Sequence, residues 1–571
     1  MTKRSWWLLS MLLVSACDEP APVETDAGVA PPADAGRPDA GPEPPLEPDL
    51  VCPGGPACPD EGDDVLRVGA SAQPITPSFD DVDALTVDVD GDGRFDPTDG
   101  DEFEDRDGDG RYDAIWLAGF GNGRAATEIH DDVWARAVVL RQNETTLAFV
   151  AIDAVGLFLD DIQPIRDAVA DLDVDYVSVS ATHDHETYDT IGIWGPDLDT
   201  TGRAPEYLAY VQAQAAQAIR DAVAALEPAN VQYASLRLRE TPIGLRRLVS
   251  DTRDPNIIDD EVRVMRFARP ADGSTISTLV NLSSHPEYMG SRNTALSSDY
   301  PNWLRDGIEN GVEGPDGAMA EGVGGVCVFI NGAVGSQIGP GRVQPQTWAG
   351  EDVERSTIES AATVGSQLAW YVLQSLGPDG GSTTDETADL AVRRAQFFLR
   401  IENRRYHIAY LQGLFVREVY NYEPDFPIRP GSNEPDVLTE IAVIDVGRAQ
   451  LITVPGELDP ALFVGGYDGG YTPEGEAIVD TSATNAPDLS MAPDGPYLRD
   501  YARDDAEHVW LLGLTNDFLG YFIPEFDYEL DPGLPYIAEA PGDHYEETNS
   551  IGLGGWPRVR DKLQELLEWS P

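Results

Sequence analysis

The sequence predicts an α/β fold, with a mixed β-sheet core and flanking helices, and three observations carry that expectation. Short apolar, β-rich runs near 146–153, 174–182, 231–239, 262–269, 276–284, 325–332 and 440–454 alternate with longer helical patterns at 204–226, 298–310, 355–376 and 557–568. Ala and Gln at close spacing through 209–225 set one apolar helical face against a sheet. Side chains that bind metals or move protons stand where the strands end, as in open α/β sheets, whose ligands gather beyond the strand carboxyl ends.

The chain opens with Lys3-Arg4, an apolar run from Trp6 to Val14, and Ser15-Ala16-Cys17. This is a secretory signal resembling a bacterial lipobox, too short to span a bilayer as a stable helix. The expected product begins at lipidated Cys17 and is anchored to a membrane of the bacterial cell envelope, periplasmic or surface. Residues 18–50, dominated by Pro, Ala, Asp and Glu, are too polar to fold and form a tether reaching on the order of 30–40 Å. The expected division is a signal over 1–17, a linker over 18–64 and one domain over 65–571, because candidate site residues span that domain without a convincing break. Cys52 and Cys58 flank Pro-Gly-Gly-Pro-Ala and are placed to close a small disulfide loop. Cys327, within Gly325-Val-Cys-Val-Phe-Ile, reads as a buried apolar thiol.

A repeated acidic pattern lies at 88–113, where Asp88-Val-Asp90-Gly-Asp92-Gly93 is echoed by Asp105-Arg-Asp107-Gly-Asp109-Gly110. Alternating carboxylates with Gly at the sixth position wrap oxygen ligands around Ca²⁺. The twelfth place holds Asp99 in the first loop and Trp116 in the second, so these are calcium loops of a non-EF-hand type, with Asp96 and Asp113 as shared ligands. The plainer reading is a solvated acidic turn; recurrence of the spacing favours calcium, which would brace the neighbouring Ala118-Gly-Phe-Gly121.

The net charge of −63 argues against nucleic acid, whose phosphates would be repelled, and against docking on anionic lipid through a basic face. The lysines are Lys3 and Lys562, which leaves no candidate for Schiff-base or P-loop chemistry.

The run Val177-Ser-Val-Ser-Ala-Thr-His183-Asp-His185 ends a strand in two imidazoles. Side chains at i and i+2 of a strand share a face, so both can reach one metal, or one can bind it while the other handles a proton. A polar strand exit is the bland alternative. The same kind of ending recurs at Thr278-Leu-Val-Asn-Leu-Ser-Ser-His285-Pro286 and at Ala449-Gln-Leu-Ile-Thr-Val-Pro455-Gly456-Glu457. Asn516-Asp-Phe-Leu-Gly-Tyr521 follows another apolar run, and His544-Tyr545-Glu546 comes soon after.

Together these strand ends resemble the neutral/alkaline ceramidase family, zinc amidases that cleave the N-acyl bond of sphingolipids. The likeness covers most of 67–552 and includes Arg67-Val-Gly-Ala-Ser-Ala-Gln-Pro-Ile-Thr76-Pro, Ala118-Gly-Phe-Gly121 and His130-Asp-Asp-Val-Trp-Ala-Arg136. The resemblance implies that His183, His285, Glu457 and Tyr521 hold zinc, and that His185 is the catalytic imidazole. It implies that Tyr545 is a second active-site phenol and that Arg246, in Leu245-Arg246-Arg247, is the family's arginine, with Leu245 where the family has Asn. The family's Gly-Asp-x-Ser-Pro loop lines up with Gly335-Ser336-Gln-Ile-Gly-Pro340, leaving Ser336 two positions early. That departure favours metal-activated water over a serine nucleophile. Members with a C-terminal immunoglobulin-like domain continue beyond the Tyr-Glu pair, and none is expected here. The implied substrate is an N-acyl lipid. An amidohydrolase-type metal barrel acting on a small amide, and a non-catalytic calcium-binding surface lipoprotein, are the competing readings.

Overall fold

The computed structural model describes residues 46–570, apart from 56–57, 59–61, 90, 92–94, 97, 107, 109, 424, 427–432 and 543. The leader with Cys17, and the calcium candidates Asp90, Asp92, Asp107 and Asp109, lie outside the described residues.

Three mixed sheets carry the fold. The first joins β1 (Arg67–Pro74), β2 (Trp134–Gln142), β3 (Thr145–Ile152) and β4 (Tyr176–Ala181) in the order β4-β3-β2-β1, with Glu227–Pro228 beyond β1. The second joins β5 (Asn230–Arg237), β6 (Glu261–Ala268), β7 (Thr275–Leu282) and β8 (Val326–Asn331) as β8-β7-β6-β5, with Thr383–Asp385 beyond β5. The third joins β9 (Leu390–Arg400), β10 (Asp436–Val446), β11 (Ala449–Thr453) and β12 (His508–Leu512), with Leu50–Cys52 beyond β9. Each sheet is antiparallel except for one parallel pair: β3/β4, β7/β8 and β11/β12. Parallel neighbours need a crossover. Helices α1 (Leu159–Ala168) and α3 (Tyr300–Asn310) supply two of them, and α2 (Pro205–Ala224), α4 (Ile358–Leu376), α5 (Arg404–Gln412) and α6 (Gly555–Glu568) complete the long helices.

The inner faces share one core. Val138 and Phe149 of the first sheet, Met265 and Leu279 of the second, and Val392, Ile444 and Trp510 of the third belong to the same apolar cluster. The outer faces are covered by helices: Ile162 and Ile219 over the first sheet, Leu304 and Leu368 over the second, Val559 and Leu563 over the third. Strands buried on both faces read as continuous apolar runs, and every residue of β3 is buried. Three mixed sheets around one core are incompatible with the eight-stranded parallel barrel of the amidohydrolase reading.

Two boundaries differ from expectation. The apolar stretch 440–454 is a hairpin, since Val446 pairs with Ala449 across the two-residue turn Gly447-Arg448. Residues assigned to the linker belong to the folded unit: Leu50–Cys52 pairs with β9, and Cys52 and Cys58 form a disulfide whose sulfurs are buried in the shared core. Cys327 is a free, buried thiol whose pKa burial pushes up to about 12.

The acidic insert folds as a small hairpin, Ala84–Val87 against Glu102–Glu104, around Phe95, Phe103, Tyr112 and Trp116. Its described carboxylates close turns. Asp88 accepts from the Gly91 N–H at 2.7 Å, and Asp105 from Gly108 at 2.7 Å and Gly110 at 3.0 Å. Asp99 donates its N–H to the Asp96 carbonyl, and Asp113 donates its own to Asp83.

Candidate metal centre

The parallel pair of each sheet points its carboxyl ends at one place. After β3 and β4 come Ala154 and His183; after β7 and β8 come His285 and Gln337; after β11 and β12 come Glu457 and Tyr521. The loops are stitched to one another by backbone bonds. His183 and Asp184 donate to the Ala154 carbonyl, His185 donates to Pro286, and Glu457 donates to Gly520. Glu457–Leu458 and Tyr521–Phe522 then pair as short parallel strands, which sets Glu457 beside Tyr521.

Strand alternation does not bring His183 and His185 together. β4 stops at Ala181, and His183 takes a left-handed conformation with φ 65°. His tolerates this region better than most residues, at some strain. The turn folds the second imidazole back on the first.

Both outer imidazoles are oriented from behind. His183 Nδ1 donates to the Val155 carbonyl at 2.6 Å, and His285 Nδ1 donates to the Gln337 carbonyl at 3.1 Å. Each carbonyl assigns the proton to Nδ1 and turns the Nε2 lone pair inward. His183 Nε2 lies 3.1 Å and His285 Nε2 3.2 Å from the same oxygen, Glu457 Oε2, and His185 Nε2 is 3.3 Å from His183 Nε2. All four side chains are buried. Burial opposes the charge on Glu457, and only protonated imidazoles donating from Nε2, the alternative to a cation in their midst, would hold the carboxyl down at about 2. Burial, and then the neighbouring imidazoles, push His185 well below its ordinary value. His285 Nε2 and Glu457 Oε2 have no hydrogen-bond partner.

Buried acceptors that converge without donors are costly unless a cation fills the gap. Ligands about 2.0–2.1 Å from a tetrahedral zinc stand about 3.3 Å from each other, close to the 3.1 and 3.2 Å between Glu457 and the outer imidazoles and the 3.3 Å between His183 and His185. Among the described residues, two groups of three have ligand atoms close enough for one ion: His183, His185 and His285, and Cys52, Cys58 and Asp175. The second group's sulfurs are engaged in the disulfide.

The phenols sit alongside. Tyr521 is buried, with its pKa raised well above normal by burial and then by Glu457, and its hydroxyl is 2.8 Å from that of Tyr545. Tyr545 leaves 48% of its surface exposed. Arg246 occupies a 3₁₀ turn, Leu245–Arg247, and its side chain lies outside the described residues. Ser336 is buried, and its hydroxyl lies beside the Asp251 and Asp459 carboxylates. His130, His407 and His508 have structural partners in Asp131, the Ile401 carbonyl and the Tyr233 ring.

Several residues at the site carried no individual signal in the sequence. Arg124 is buried; its guanidinium donates to the His185 and Ala118 carbonyls and pairs with Glu186 at 3.1 Å. Glu287 places Oε2 3.3 Å from His185 Nδ1, and burial pushes its carboxyl up to about 8. Gly119 is the close approach that admits His185: with φ 98°, a Cβ there would stand 2.3 Å from the imidazole Cγ. Phe120 packs edge-on against the same ring, at 5.1 Å between centroids. The Ala118-Gly-Phe-Gly121 motif was visible in the sequence, but its job of seating His185 was not. Gly119→Ala is expected to lower kcat more than about tenfold and stability by about 1–3 kcal/mol. Kinetics and thermal melts equal to wild type would show that the ring has room to move aside.

No family model matches the chain, and no curated protein matches it in sequence. Solved structures do. The crystal structure of neutral ceramidase from Pseudomonas aeruginosa superposes with a TM-score of 0.56 at 14% identity, over 88% of this chain and 74% of that one. The chain has a ceramidase-like fold. A ceramidase complexed with C2 gives a TM-score of 0.56 at 13% identity, over 88% and 75% of the two chains. At these identities the likeness speaks for the fold.

Proposed function

We propose that the protein is a zinc-dependent hydrolase that cleaves the N-acyl amide bond of ceramide or a related N-acyl lipid. The observation that carries the reading is the convergence, on a ceramidase-like fold, of Glu457 Oε2 with His183 Nε2 at 3.1 Å and His285 Nε2 at 3.2 Å, with His185 Nε2 3.3 Å from His183 Nε2. His183, His285, Glu457 and Tyr521 would hold the ion. When bound, zinc supplies Lewis-acid polarisation of the acyl carbonyl and a lowered pKa for water. His185, neutral in its buried setting, takes the proton from the attacking water and passes it to the departing amine. Arg246 and Tyr545 donate to the oxygen that gains charge in the tetrahedral intermediate. Metal analysis of the purified protein together with a hydrolysis screen, long-chain N-acyl lipids against small amides, tests the reading; a metal-loaded protein inert on all of them would sink it.

A second ligand set is favoured by one distance. His185 Nε2 stands as close to His183 Nε2 as a fellow ligand would, so a three-histidine centre is the competing arrangement. Metal content of His185→Ala separates the two: retention leaves His185 as the base, and loss makes it a ligand.

The further parts of the reading are an enzyme tethered through lipidated Cys17 in a bacterial envelope, and an acidic insert at 88–113 that takes up structural calcium. Chelation of calcium should lower the melting temperature while zinc stays in place. An unchanged melting curve would remove the calcium claim.

A further inference from the structure

Tyr545 begins a helix of one turn, Tyr545–Thr548. So short a helix has no stability of its own, so its position is set from outside. Its flanks are buried: His544, Glu546 and Glu547 are 3%, 6% and 0% exposed, while Tyr545 is open at 48%. One guanidinium holds those flanks. Arg253, itself buried, donates through one terminal nitrogen to Glu546 at 2.9 Å and Glu547 at 3.2 Å. Through the other it donates to Glu547 at 2.8 Å, to the Asp527 carboxylate at 2.9 Å and to the Asp527 carbonyl at 2.7 Å. His544 Nδ1 joins Glu547 at 2.9 Å.

Three segments meet on that side chain. Asp527 closes the 3₁₀ turn Glu525–Asp527, just downstream of Tyr521. Arg253 follows Ser250–Asp251, a strand paired with Gln337–Ile338, and the Gln337 carbonyl is the acceptor behind His285. A planar fork reaches three carboxylates from two nitrogens, which an ammonium on a flexible stem does not reproduce. A buried ion cluster is by itself weak evidence for stability. Here every carboxylate it gathers lies beside a phenol-bearing segment.

We propose that Arg253 is the positioning residue of the phenol pair, a guanidinium that fixes Tyr545 against Tyr521 by clamping the turns that carry both. The role rests on the reading that Tyr545 faces the substrate. The test uses Arg253→Lys in the full metal-loaded protein, with 3-fluorotyrosine placed at 545 for ¹⁹F NMR. Expected are a kcat lower by about 10- to 100-fold, a KM within about threefold, wild-type metal content, and a single fluorine line that broadens or splits. A merely structural role would lower the melting temperature and leave kcat of the folded protein and the fluorine line unchanged, which overturns the proposal. If Arg253→Lys does not fold, Arg253→Met with Glu547→Gln removes one cation and one anion together and is read the same way. Should wild type hydrolyse no N-acyl amide, the functional reading falls on its own, and the fluorine line still decides whether Arg253 sets Tyr545.

Discussion

Replacing His183 and His285 together by Ala is expected to empty the centre, from about one zinc per chain to less than about a tenth, and to abolish hydrolysis. The size of the effect follows from how the pair is held. Each ring is held by a bond from Nδ1 to a backbone carbonyl behind it, so the two Nε2 lone pairs are fixed toward the centre and are lost with the rings. What remains is one carboxylate, one phenol and His185, too few fixed nitrogens for tight zinc binding. The single variants should fall between wild type and the double variant in metal content. Elemental analysis after dialysis reads all three, and full occupancy in the double variant would falsify the ligand assignment.

Legibility of the site tracked where chemistry coincided with strand punctuation. His183, His285 and Glu457 each end an apolar run, and the structure brings them to one point. Glu287 and Arg253 could not be seen that way. In a chain with 101 acidic residues, one more Glu carries no signal, and the partners of Arg253 lie more than 270 residues away in sequence. Gly119 was visible as part of a motif, but its steric duty depends on a ring that arrives 66 residues later.

The fold shows the same division. Strands buried on both faces, such as β3 and β7, were readable as apolar runs. β9 was missed because Arg393, Arg394 and Gln396 interrupt it, although each makes structural bonds, to Trp569, Glu440 and Asp49 among others. α1 was missed as well: it carries Pro164, a residue that ordinarily marks a helix boundary. That three sheets share one core is a long-range fact, which periodicity within a window does not contain.

The mechanism turns on which side chain moves the proton, and two substitutions separate the possibilities. His185→Ala is expected to lose roughly two to four orders of magnitude in rate while keeping its metal, as for a lost general base. Its Nε2 faces His183, Glu287 stands behind its Nδ1, and burial favours the unprotonated ring that a base must start from. Ser336→Ala is expected to keep most activity. The serine hydroxyl is buried beside Asp251 and Asp459, and those carboxylates are engaged in holding backbone: Asp459 caps the helix Pro460–Val464, and Asp251 accepts from the Arg253 and Ile257 N–H groups. Were Ser336 a nucleophile, its loss would be as damaging as that of His185, and a covalent acyl-enzyme would build up with a slow substrate. Mass spectrometry of the protein quenched during turnover decides between them: an acyl group on Ser336 would replace water with serine, whereas an unmodified chain together with an active Ser336→Ala leaves water as the nucleophile and His185 as its base.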